Sequence, residues 1–205
     1  MALVKYNNNS ISAITAASGL TAGAMTLIKE QTASSSSTIS FVNGTSDVVI
    51  SSTYPIYLFK FINAHPATNS VDLQFNGSSD TGSNYNVTKT TTAFQAYQTE
   101  SGSATSLMYE PSQDIAQGTG VQKLAIGVGN DNDQSCSGVL HLYNPSSTTF
   151  VKHFISTFSN NNASDYFNNT YIAGYCNVTA AIDGVQFSFS SGNIDAGVIK
   201  LYGIS

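Results

Sequence analysis

Along the last third of the chain, β-branched and aromatic residues come in short runs at 137–143, 148–155, 184–189 and 197–202, each bounded by Gly, Asn, Ser or Pro. Runs of this length and composition are strands, and their spacing belongs to an all-β protein rather than to alternating βαβ units. The same rhythm begins upstream with strands at 25–29, 38–42 and 47–50, the last two joined by a tight turn at Asn43-Gly44, where both residues tolerate positive φ. A longer run at 56–63 places Tyr57, Phe59 and Phe61 on one face and Ile56, Leu58, Lys60 and Ile62 on the other, which predicts a central strand covered on both sides. Residues 71–75 alternate apolar and polar, 76–84 read as a loop, and strands follow at 88–97 and 121–128. The stretch 102–120 is polar, with Pro111 and two glycines, and has room for a short strand or one helical turn.

This gives about ten strands and no helix longer than a single turn. The expected fold is a two-sheet sandwich of jelly-roll type in one domain spanning 24–205, preceded by an extended N-terminal arm at 1–23. An immunoglobulin-like sandwich fits less well, because the chain has no Trp and 205 residues. No repeat of solenoid or propeller period occurs.

Composition changes the picture in one respect. Only 9% of residues are charged while 41% are hydrophobic, so the surface draws its polarity from Ser, Thr, Asn and Gln. Such a surface packs into dense assemblies with little charge to desolvate. With seven Lys and Arg and a net charge of −5, no basic stripe is available for nucleic acid or for an anionic membrane. The first residues lack a charged n-region followed by an apolar stretch, and no window is long and apolar enough for a membrane span, so synthesis in a cytoplasm is expected. Cys136 and Cys176 are then expected as buried free thiols.

Candidate chemistry is sparse. His65 precedes Pro66 and suits a turn. His141 and His153 flank Asn144-Pro145-Ser146-Ser147 as arms of a hairpin; with Tyr143 opposite Thr148, His141 faces Phe150 and His153 lies on the other side of the sheet, too far to share a metal. Asn130-Asp131-Asn132-Asp133 offers clustered oxygens without the Gly and Glu of a calcium loop and reads as a polar turn. Glu100, Glu110, Asp114 and Asp165 are the carboxylates available for a glycosidase pair, but no spacing joins any two, and neither a nucleophile elbow nor a phosphate loop is present. The expectation is a non-enzyme without cofactor or metal. Tyr166, Phe167, Tyr171 and Tyr175, in an Asn-rich segment, are candidate glycan contacts, because aromatic faces stack on sugars while amides address hydroxyls; packing in the core or between subunits is the competing role.

Several phrases then carry a family likeness. Met1-Ala2-Leu3-Val4-Lys5-Tyr6-Asn7-Asn8-Asn9-Ser10-Ile11, Gly23-Ala24-Met25-Thr26-Leu27-Ile28-Lys29, Tyr85-Asn86-Val87-Thr88-Lys89-Thr90-Thr91-Thr92, Leu142-Tyr143-Asn144-Pro145-Ser146-Ser147 and Ser191-Gly192-Asn193-Ile194-Asp195-Ala196-Gly197-Val198-Ile199-Lys200-Leu201-Tyr202-Gly203-Ile204 span nearly the whole chain. Together they resemble a family of small structural proteins of tailed phages, especially cyanophages and other marine phages. The resemblance implies a virion component assembled in the host cytoplasm and brings no catalytic residues. The expected role is an exterior structural protein, either a tail-associated fibre or appendage protein joined through its N-terminal arm or a capsid cement protein, with a module for host-surface glycans as the alternative. Its expected partners are other virion proteins and its own copies, a trimer above all.

Overall fold

A computed structural model of the protein describes residues 24–205, so the predicted arm at 1–23 lies outside the described residues. Twelve strands form two antiparallel sheets packed face to face. In chain order the strands are β1 (Met25–Thr32), β2 (Ile39–Val42), β3 (Ile56–Pro66), β4 (Val71–Ser78), β5 (Lys89–Thr99), β6 (Thr105–Tyr109), β7 (Gln122–Val128), β8 (Cys136–Tyr143), β9 (Lys152–Asn161), β10 (Tyr166–Cys176), β11 (Gly184–Phe189) and β12 (Ile194–Ile204). The larger sheet runs β1-β12-β3-β8-β9-β10-β5-β6 and the smaller one β2-β11-β4-β7.

Strand alternation places the core. Tyr57, Phe59 and Phe61 of β3 point inward and are fully buried. Phe187 of β11 meets them from the opposite sheet, its ring edge-on to Phe59 at 5.2 Å and to Phe61 at 4.8 Å, while Phe41 and Phe75 close the cluster from β2 and β4. Edge-to-face packing of this kind adds to the burial term and fixes how the sheets seat on each other.

Beyond the smaller sheet the inner face of the larger one turns polar. Ser156 and Asn160 of β9, Asn168 and Thr170 of β10 and Gln95 of β5 are buried there. Asn160 and Asn168 both donate to the Ile126 carbonyl of β7, while Asn160 Oδ1, Asn168 Oδ1, Ser156 Oγ and Thr170 Oγ1 find no protein partner.

Four local expectations need correction. β3 is central, but its outer face is covered only in part: Leu58 is buried while Lys60 and Ile62 are exposed, since among the described residues no second layer lies over the larger sheet. Residues 47–50 form no strand, since Ser46 and Asp47 adopt positive φ and turn the chain while Val48 and Ile50 stay buried. In the Asn43-Gly44 turn only Gly44 has positive φ; the turn is wider, closed by Gly44 N–H to the Val48 carbonyl. Finally, β4 continues to Ser78 instead of ending at Phe75, because Asn76 is buried as a hydrogen-bonding group. The uncertain stretch 102–120 holds both alternatives, strand β6 and a 3-10 turn at Pro111–Gln113.

Truncating the ring that four others surround should be among the most damaging single changes. Phe187→Ala is expected to lower unfolding free energy by ~3–5 kcal/mol in urea denaturation. Phe150→Ala, at an exposed loop ring, should change it by less than ~0.5 kcal/mol.

Candidate functional site

The uncovered outer face of the larger sheet is organised as cross-strand rows, because directly paired residues share a face. One row runs Glu30, Lys200, Lys60, Val139, Thr157, Tyr171, Phe94, Tyr109 from β1 to β6. The next runs Leu27, Tyr202, Leu58, His141, Ile155, Ala173, Thr92. A third includes His153, Tyr175 and Thr90. Charge is confined to the β1–β3 end, where Glu30 and Lys200 form an ion pair at 2.8 Å that holds Lys200 above the usual lysine range. Across β8, β9, β10, β5 and β6 the outward positions carry no Asp, Glu, Lys or Arg.

Within this neutral region the middle row forms the floor of a groove of about 530 Å³. Its floor residues are Thr92, Ala173 and Ile155. On one side Phe94 and Tyr171 stack with ring centroids 4.8 Å apart and planes at 9°. On the other, His153 and Tyr175 lie 5.9 Å apart. Thr90, Tyr175 and His153 line one side of the groove, while the Phe94–Tyr171 stack stands in the outward row beyond its floor, Tyr171 lying four residues from Tyr175 and hence about 13 Å away. Gly174 makes the floor possible: a Cβ there would approach Phe154 Cζ to 2.8 Å and the Thr90 carbonyl to 2.8 Å, so only glycine lets the strands and the Phe154 ring close beneath.

The rim is pinned by amides. Gln117 Nε2 donates to Tyr175 Oη at 3.1 Å and to Thr90 Oγ1, and its own carbonyl accepts from Asn177 Nδ2. Tyr109 donates to the Asp114 carboxylate. A second hollow, of about 430 Å³, lies over Gly138 and Val139 with Lys60 at its edge.

The four candidate aromatics divide. Tyr175 lines the groove, Tyr171 stands in the adjacent outward row, Phe167 is exposed on the same outer face four residues further along, and Tyr166 faces the other way, stacked on Tyr97 at 5.3 Å. Thr90, Thr92, His153 and Ile155 complete the lining, with Gln117 bonded to its rim. The small Ala173-Gly174 step between two tyrosines was its only sequence signal.

The histidine expectation is overturned. His141 pairs with Ile155, and Ile155 and His153 share a face, so both histidines project outward on the same side. The hairpin loop is longer than a four-residue turn, running from 144 to 151, and this shifts the register. Burial lowers the pKa of His141. His65 faces Asp195 at 3.8 Å. Glu100 and Asp165 are neighbours through a backbone hydrogen bond, whereas Glu110 and Asp114 flank the 3-10 turn. Among the described residues no three His, Cys, Asp or Glu side chains gather as a metal site.

One buried cluster was missed altogether. Cys176 of β10 stands directly between Lys89 of β5 and Lys152 of β9, and all three point into the core. Lys89 Nζ donates to Asn76 Oδ1 at 2.6 Å and the Val87 carbonyl at 2.8 Å, and Lys152 Nζ to the carbonyls of Val178, Thr179 and Ala180. Burial pushes Lys89 down to about 8, the neighbouring thiol opposing, and pushes Cys176 up to about 11, with the two lysines opposing. Burial also lowers Lys152 and raises Cys136. Both cysteines are unpaired.

These shifts predict a distinct pH profile. Folded Lys89 releases its proton near pH 8, whereas the unfolded chain holds it to about 10.5, so the unfolded state binds more protons in that window and stability rises with pH. The thiols act oppositely, ionising near 9 when unfolded and later when folded, so their contribution falls above pH 9. Denaturation midpoints should therefore rise between pH 8 and 9, by up to about 1 kcal/mol, and then level. In Lys89→Met the rise should shrink to the part that Lys152 supplies.

Compared with models of protein families, with curated proteins and with solved structures, the chain matches none, so its functional reading rests on its own residues.

Proposed function

We propose that this chain is a structural protein on the exterior of a tailed-phage particle, a tail-associated fibre or appendage subunit that assembles with its own copies. The observation that carries the reading is the uncovered face of the larger sheet, a broad surface that keeps charge at one end only. On this face Leu27, Ile62, Phe94, Leu107, Ile155 and Phe167 are all exposed, more large apolar side chains than a monomer in solution usually leaves open on one side. Near the start of the described chain that face exposes Met25 and Leu27.

The family likeness of the quoted phrases supports the virion setting. The strand order supports a jelly roll: β1-β12-β3-β8 opposes β2-β11-β4-β7, with β5–β6 and β9–β10 as two inserted hairpins that widen one sheet. A homotrimer is the expected assembly, and closed symmetry would bury Met25 and Leu27 once per protomer.

Two measurements test this. Quantitative mass spectrometry of virions carrying the chain should give a few to a few tens of copies; a value near that of the major capsid protein would make it a cement protein, and absence from the particle would overturn the proposal. In light scattering, Met25→Lys combined with Leu27→Lys should weaken self-association at least ~10-fold, since each side chain otherwise buries about 1.5–3 kcal/mol of apolar surface. An unchanged mass would remove this end of the sheet from the interface.

A further inference from the structure

We propose that the groove over Ala173 and Gly174 is a binding site for a neutral oligosaccharide, seated against His153 and Tyr175, with the stacked Phe94–Tyr171 pair in the adjacent row. The assignment goes beyond the particle reading and does not depend on it, because it uses the half of the sheet remote from Met25 and Leu27.

Shape comes first. A sheet surface dressed with side chains of equal size is a flat platform, but here the floor position between two aromatic rows is a single methyl group, Ala173. The floor continues through Ile155 to His141 on β8. From β5 to β8 that is three inter-strand steps, about 14 Å, the length of about three pyranose units. A volume of about 530 Å³ is in the range of small-ligand sites.

The chemistry narrows the occupant. Pyranose rings present C–H faces that pack on aromatic rings and edges that carry hydroxyls. Phe94 and Tyr171 are already stacked nearly parallel and offer one composite aromatic wall. On the opposite wall the Tyr175 hydroxyl accepts from Gln117, which leaves its own proton free to donate, and Thr90 accepts from the same amide with its hydroxyl proton likewise free. Asn177 locks that amide in turn, so the polar groups are oriented before any ligand arrives.

Charge decides between ligand classes. With no Asp, Glu, Lys or Arg among the outward positions of β8, β9, β10, β5 and β6, an acidic polysaccharide would lose hydration without finding a cation. A neutral polyhydroxylated chain meets the same surface without that cost. A second copy of this protein would need to insert a ridge into the groove.

The probes are maltohexaose, cellohexaose, laminarihexaose and mannohexaose, with a galacturonic acid hexamer as the charged control, read by saturation-transfer NMR and calorimetry on the full chain. At least one neutral hexasaccharide is expected to bind with a Kd below ~1 mM and more tightly than the charged control. Tyr175→Ala and Ala173→Met, the second filling the floor without removing any hydrogen bond, should each weaken it at least ~10-fold, while Tyr166→Ala on the other face should leave it unchanged. Circular dichroism and the urea midpoint establish that each variant is folded. The proposal is overturned if no neutral probe binds, if the charged hexamer binds more tightly, if folded Tyr175→Ala and Ala173→Met both retain full affinity, or if Ala173→Met instead converts an oligomer to monomer.

Discussion

Five aromatic rings centred on Phe187 hold the two sheets at a fixed separation and rotation, and the rest of the molecule inherits its geometry from that contact. Because side chains alternate across a strand, fixing Phe59 and Phe61 inward obliges Lys60 and Ile62 outward. The same parity then passes from strand to strand through the pairing register. The outer rows are therefore a consequence of the core: Tyr171 faces solvent beside Phe94 because Ile172 and Ala93 are buried beneath them.

That dependence gives the larger sheet two differently equipped ends. Near β1 the outer surface carries Met25 and Leu27 beside the charged Glu30, Lys200 and Lys60. Near β5 and β10 it is aromatic, hydroxylated and neutral, with a groove whose polar rim is fixed by Gln117 and Asn177. The proposed contact with its own copies and the proposed ligand groove thus fall at opposite ends of one sheet.

Much of the fold was legible from alternation alone. The pattern of Val71, Leu73 and Phe75, or of Tyr57, Phe59 and Phe61, reports burial directly. Alternation does not report which strands become neighbours, and the groove exists only because β5 and β9 flank β10. Phe94 and His153 therefore could not be joined to Tyr171 and Tyr175 by reading the chain. The four candidate aromatics could not share one face for the same reason: Tyr166 and Phe167 are adjacent in sequence and so face opposite sides of one strand. Lys89 was invisible in another way, since a lysine in a Thr-rich strand reads as solvated, and only Asn76 and the Val87 carbonyl, supplied by folding, allow it inside. The histidines failed on register, where a loop a few residues longer than its turn motif moved His153 across the sheet.

The polar layer beneath β9 and β10 has a consequence of its own. An apolar interior accepts a strand that slides by two residues with modest loss, since one hydrophobe replaces another. Asn160 and Asn168 both reach one carbonyl, that of Ile126, and any slide would take them off it together. The layer thus works as a vernier: it adds little cohesion but admits a single alignment of β9, β10 and β7, and so keeps the aromatic walls on the far side of the sheet in step.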